Sequence, residues 1–125
     1  MTNPKAQSKM ITRDQLRALH AYKAVGEVKD EKEQKDYKIA VNDLGVNILR
    51  SGLCAALATV QRVKGERLLA HLAAAEIPGL KDVKASDLVA RVRNLDLDAY
   101  MIATREMLRV ALWLKRAVQA SFDEG

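Results

Sequence analysis

The chain has 125 residues, 49% hydrophobic and 30% charged, with a formal net charge of +5. One domain of this size can bury enough surface to fold without disulfides or a structural metal, and the lone Cys54 rules out an internal bridge or a four-cysteine zinc framework. The longest apolar run, Leu53 to Val60, contains Thr59 and is far shorter than the roughly 20 residues of a membrane span, and Met1-Thr2-Asn3-Pro4-Lys5 leads into no apolar signal region, so a cytoplasmic protein with no membrane partner is expected.

Helix-forming residues dominate, no stretch alternates with period two, and Pro4 and Pro78 lie outside the periodic segments. The expected fold is all-α: a compact single-domain bundle of about six helices over residues 12–125. A flexible basic N-terminal arm, residues 1–11 with Lys5 and Lys9, precedes it. Thr12 and Gln15 form a capping-box pair that starts a helix running to about Val28, with Leu16, Leu19, Tyr22 and Val25 as its apolar face. A solvated turn leads into a second helix reaching about Leu49, whose ladder is Tyr37, Val41, Leu44 and Ile48. Ser51-Gly52 breaks it. Leu53 to Val63 is apolar nearly all round, which predicts a central helix ended by Lys64-Gly65. A short Leu-Ala helix follows from Arg67 to Ala75, and Ile77-Pro78-Gly79 is a stop. Ser86 is placed to cap a short helix to about Leu95, with Leu88, Val89 and Val92 inward. Asp96 or Asp98 caps the last and longest helix, to about Ala120.

Little in the sequence supports catalysis or a cofactor. His20 and His71 each lack a second imidazole, cysteine or carboxylate pair at metal-ligand spacing, so both read as structural. Cys54 lies in the most apolar segment and behaves there as a small hydrophobe. The glycines open no phosphate-binding loop, and the Asp96/Asp98 pair is explained by capping and the helix dipole.

The cations are more informative. At 100° per residue, Arg105, Arg109 and Arg116 fall within about 40° of one another and span about 16 Å, a stripe able to follow two or three phosphates. Leu112 lies on the same line. Arg13 and Arg17 are i, i+4 on the first helix, with His20 continuing the row and Lys23 beyond, while Arg50, Arg62, Lys64 and Arg67 cluster around the ends of the central helix. The alternative is a solvated face balanced by Glu106, Asp14 and Glu66. Aromatics are few (Trp113, Phe122, Tyr22, Tyr37, Tyr100), so contact with nucleic acid is expected through phosphates rather than by base stacking.

The last helix carries Tyr100, Thr104, Glu106 and Leu108, then Leu112-Trp113-Leu114-Lys115-Arg116-Ala117 and Ala120. This string resembles the C-terminal signature of the small α-helical subunit family of the Cmr-type (type III-B) CRISPR RNA-targeting effector complex. Ser51-Gly52-Leu53 with Ala55, Ala56, Leu57 and Ala58 is similar to the family's Gly-Leu-initiated central helix. Leu68-Leu69 and Leu72 match the short helix after it, and Tyr37 to Leu49 the approach to the turn. The chain departs from the pattern at Asp43-Leu44-Gly45-Val46, where members often carry a proline, and Ile77 to Leu97 matches only in helical character. The resemblance implies a six-helix, non-catalytic subunit without cofactor. It implies that copies of the chain stack head to tail beside the complex's backbone and large subunits, with a basic groove for target RNA paired to the guide RNA. Lys115 and Arg116, in the matching string, are then candidates for an RNA-facing or subunit-facing surface, and Trp113 for core or an inter-subunit anchor. The small subunit of the related type III-A complex and a protein-interaction adapter without RNA binding are the competing readings. A metal-dependent enzyme would have to gather His20, His71, Asp43 and Glu106.

Overall fold

Thr12 and Gln15 close the capping box: Thr12 Oγ1 accepts from the Gln15 amide at 3.0 Å, and Gln15 Oε1 accepts from the Thr12 amide at 2.7 Å. This fixes the start of the first helix in the computed structural model, which describes residues 11–63 and 65–122. The expected basic arm falls outside the described residues apart from Ile11. The helices are α1 (Arg13–Gly26), α2 (Glu31–Ser51), α3 (Leu53–Arg62), α4 (Glu66–Ala73), α5 (Leu88–Arg93) and α6 (Leu97–Ser121), with a 3-10 turn, Ala85–Asp87, leading into α5. No strand occurs among the described residues, and none of their helices is long and apolar enough to cross a membrane.

Side chains set most of the joints. Asp30 accepts from the Glu33 amide at 3.1 Å and starts α2. Gly52 ends it at φ 93°, in the left-handed region that glycine tolerates, and α3 begins at once. Asp96, rather than Asp98, caps α6 by accepting from the Ala99 amide at 2.8 Å. Ser86 does not cap: it sits inside the 3-10 turn, and neither that turn nor α5 has a side-chain cap. Between α4 and this turn the backbone is irregular, with positive φ at Glu76, Gly79 and Asp82. Helix α4 runs Glu66–Ala73, so Ala74 and Ala75 belong to that connection.

Helix α6, 25 residues and about 37 Å long, is the spine. It packs most extensively on α1 and then on α2, while α3 lies against α2 and carries α4 and α5 on its other contacts. The α2 ladder is buried as expected, as are Leu88, Val89 and Val92 of α5. Leu53, Leu57, Leu68, Leu72, Leu80, Met107 and Leu114 fill the centre, each side chain contributing about 1.5–3 kcal/mol of burial. Helix α3 is more sided than its composition implies. Leu53, Ala56, Leu57 and Val60 face the core, while Ala55 and Ala58 are exposed.

Helix α1 departs furthest from expectation. Its buried residues are Arg17, Ala21, Ala24 and Val25, whereas Leu16, Leu19 and Tyr22 are 53%, 63% and 45% exposed. The helix stops at Gly26, and Val28, just past it, is buried. Of the expected face only Val25 is in the core. The small side chains and one arginine, not the bulky residues, meet the bundle.

Candidate nucleic-acid interface

The α1–α6 contact is built around a buried acid. Glu106 lies on the inward side of α6 among Ala103, Met107 and Val110, where its carboxylate must be neutralised. Arg17 Nη2 donates to Glu106 Oε1 at 3.1 Å, and Arg13 Nη1 donates to Oε2 at 3.2 Å. Arg17 Nη1 also donates to the Ala75 carbonyl at 2.6 Å, tying α1 to the end of the α4 region just before the left-handed Glu76. Arg109 borders the cluster, 3.9 Å from Glu106 and 3.7 Å from Asp14.

This geometry separates the expected RNA-binding residues. Arg17 is buried and ion-paired, so it cannot meet a phosphate; Arg13 and His20, on the same row, also bond to protein partners, although Arg13 stays largely in solvent. Arg13 and Arg109 are exposed at their outer edges but lean on carboxylates. Arg67 is exposed and holds Glu33 in a two-point contact, Nε to Oε2 and Nη2 to Oε1, both 3.1 Å, which raises its already high pKa. Lys64 lies outside the described residues. Arg50, Arg62, Arg105 and Lys115 are exposed with no carboxylate partner among the described residues, and Lys23 is exposed with Glu27 near it. Arg116 is exposed too, its guanidinium 4.8 Å from the centre of the half-buried Trp113 ring, a cation–π contact that orients it. Arg105 and Arg116 therefore remain as an outward pair on the side of α6 opposite its buried residues, joined there by the exposed Leu112, Met101 and Ile102.

Both histidines are structural, in a network the sequence did not disclose. His71 is buried. Its Nε2 donates to Glu27 Oε1 at 2.9 Å, and its Nδ1 accepts the Tyr37 hydroxyl at 2.7 Å. His20 Nε2 donates to the His71 carbonyl at 2.8 Å. The chain of bonds joins α1, α2 and α4. Burial pushes the His71 pKa down against the opposing pull of Glu27, and burial also lowers that of His20. Tyr37 is pushed well above its usual range by burial, and the His71 hydrogen bond pulls Glu27 down. Cys54 is half-buried, its amide donating to the Tyr100 hydroxyl at 3.0 Å. Of the four residues an enzyme would have to gather, only the two histidines meet, through a backbone carbonyl. No group of three metal-ligating side chains occurs among the described residues.

The surface carries a second feature. An open groove of about 730 Å³ runs between α2, the end of α3 and the start of α4. Its rim carries Asp30, Glu33, Asp36, Asp43 and Glu66 against Lys32 and Arg67, and Ile39, Ala40, Val60 and Val63 line it. In a chain of net charge +5 this is a locally acidic, partly apolar surface. Four of the acids cap or lie on α2 and Glu66 opens α4; Asp30, Glu33 and Asp36 belong to one charged run, in which interspersed lysines mask the acidic face.

Comparison with known proteins places this geometry. The family model described as CRISPR-associated protein (Cas_Cmr5) matches residues 13–121. The CRISPR system Cmr subunit Cmr5 of Thermus thermophilus is 34% identical over 119 residues, covering 92% of this chain and all of the relative. The crystal structure of a CRISPR-associated Cmr5 family protein from Thermus thermophilus superposes with a TM-score of 0.79 at 30% identity, covering 90% of this chain and all of that one.

Proposed function

Since the chain belongs to the Cmr5 family of CRISPR-associated proteins, we propose that it serves as a non-catalytic subunit of a Cmr-type (type III-B) effector complex, stacking with further copies of itself and helping to hold target RNA along the guide. The observation that carries the RNA part is the set of exposed cations without a carboxylate partner among the described residues, above all Arg105 with the Trp113-oriented Arg116 on the outward side of α6. These two are 11 positions apart, about 16 Å along the helix, and reach separate phosphates of one strand. Lys115, Arg50 and Arg62 extend the positive surface. Sequence specificity then comes from guide–target pairing, and the protein reads only backbone charge. The backbone and large subunits of the complex are its expected protein partners.

The test is a salt titration of fluorescent single-stranded RNA binding to the purified chain. Log affinity should fall linearly with log salt, by about 0.7 per phosphate neutralised. Reversing both Arg105 and Arg116 to glutamate should weaken binding at low salt at least about tenfold and flatten the slope by roughly two phosphates. Unchanged affinity in that double variant removes α6 from the RNA surface.

A further inference from the structure

We infer that the outward ridge of α1 in one copy, Leu16, Leu19 and Tyr22 with Lys23 beside them, docks into the acid-rimmed groove between α2, α3 and α4 of the next copy. The inference rests on the proposed reading that copies of this chain stack, and it names the two faces that meet.

The first reason is the mismatch in α1. Leu16, Leu19 and Tyr22 recur at i, i+3 and i+6, the spacing by which a helix marks a face for burial. The isolated fold buries the other side and leaves all three at 45% exposure or more. Single exposed leucines need no explanation, but an apolar row on one helix marks a contact surface. The signal for burial is real and the fold does not satisfy it, so an assembly must.

The second reason is what the groove offers. Ile39 and Val63 line it and are 59% and 61% exposed, so it too has unburied apolar surface. Its five carboxylates against two cations disfavour a phosphate backbone and favour a protein surface carrying positive charge. The ridge suits that rim: Thr12, Gln15, Leu16, Leu19, Tyr22, Lys23 and Gly26 fall within an arc of about 120° and include one cation and no acid. A volume of about 730 Å³ is within the range that engulfs a drug-sized ligand, and it has room for the ridge side chains.

The third reason is topology. Ridge and groove belong to different helices, so their pairing is heterologous: each copy keeps a free groove at one end and a free ridge at the other, and the chain of copies stays open. The arginines on the outward side of α6 take no part and remain available to RNA.

Sedimentation velocity of the purified chain over a wide concentration range should show association beyond the dimer. Leu19→Glu and Val63→Glu, both at exposed positions, should each reduce it to monomer with the circular dichroism and unfolding midpoint unchanged. Lys23→Glu, which sets a like charge against the rim, should weaken it about tenfold. Mixing Leu19→Glu with Val63→Glu is decisive. The first retains an intact groove and the second an intact ridge, so they should form a dimer that grows no further. The inference is overturned by a wild-type chain that stays monomeric throughout, by Leu19→Glu associating like wild type, or by the two variants remaining monomeric when mixed. Loss of the intrinsic RNA affinity in Leu19→Glu also overturns it, because the ridge would then be an RNA contact. A chain that stacks in this way but binds no RNA refutes the RNA reading alone.

Discussion

Replacing Glu106 by glutamine should remove a large part of the stability of this chain. Among the described residues, Glu106 is the only carboxylate within ion-pairing distance of the buried Arg17, whose Nε already has no hydrogen-bond partner. Removing one member of a buried pair leaves the other uncompensated and costs about 3–5 kcal/mol, against a total of roughly 5–15 kcal/mol for a domain. The reverse deletion is milder. In Arg17→Met the carboxylate keeps Arg13 at 3.2 Å and Arg109 at 3.9 Å, although the 2.6 Å bond to the Ala75 carbonyl is lost. The double variant Arg17→Met/Glu106→Leu replaces the pair by apolar side chains of similar size and should lie within about 2 kcal/mol of wild type. Glu106→Leu, Arg17→Met and the double variant form a cycle whose coupling energy should exceed about 2 kcal/mol. Urea unfolding followed by far-UV circular dichroism measures all of these. If Glu106→Gln is within about 1 kcal/mol of wild type, or the cycle is additive, the buried-pair account of the α1–α6 contact is refuted.

Three further outcomes follow from local geometry. Burial holds His71 and His20 below the ordinary histidine pKa, so the unfolded chain takes up protons near pH 6.5 while the folded chain does not. Stability is therefore full above that pH and falls on acidification below it, by up to about 1.4 kcal/mol per pH unit for the buried His71. Urea midpoints measured downward from neutral pH should show the loss, His71→Gln should flatten it, and a profile that is level or rises towards acid contradicts the assignment. Tyr37→Phe leaves the buried His71 Nδ1 without its donor and should lower stability by about 1–3 kcal/mol, read from the same unfolding curves. Gly52→Ala forces an L-residue into φ 93° and should lower stability by about 1–3 kcal/mol; its Cβ would lie 3.5 Å from the Tyr100 hydroxyl, an ordinary contact, so the loss comes from backbone strain, and a neutral effect on the melting temperature would show that the turn can shift.

Sequence made the helices legible wherever periodic apolar side chains stood between clear stops. Tyr37, Val41, Leu44 and Ile48 could only be one buried face, because charged residues occupy much of the rest of α2. Thr12 and Asp96 were readable as caps because their side chains bond backbone amides three residues on, a contact that needs no tertiary partner. Ser86 failed because its segment tightens into a 3-10 turn, which depends on how the irregular connection reaches α5. Helix α1 carries two candidate faces, one bulky and one small. Hydrophobicity alone selects Leu16, Leu19 and Tyr22, but α6 presents Glu106 at the contact, and only the face that brings Arg17 can neutralise it.

The same reasoning explains why charge spacing could nominate an interface but could not sort it. Arg13, Arg17, Arg105 and Arg109 look alike along the chain, and their roles diverge because one carboxylate 89 positions from Arg17 and 93 from Arg13 is buried between two helices. A usable signal was present. Glu106 follows Ala103 and precedes Met107, Val110, Ala111 and Leu114 at helical spacing, so it occupies the apolar face of its own helix. An acid there cannot remain unpaired, and in a chain rich in arginine the partner is a guanidinium from the helix packed on top. Such an acid withdraws Arg17 completely and Arg13 and Arg109 in part from any outside ligand. Arg105, one position earlier and turned about 100° away, stays in solvent. The face of each carboxylate therefore has to be assigned before cations are counted towards a phosphate surface, since a buried acid turns its neighbours from binding groups into structural ones.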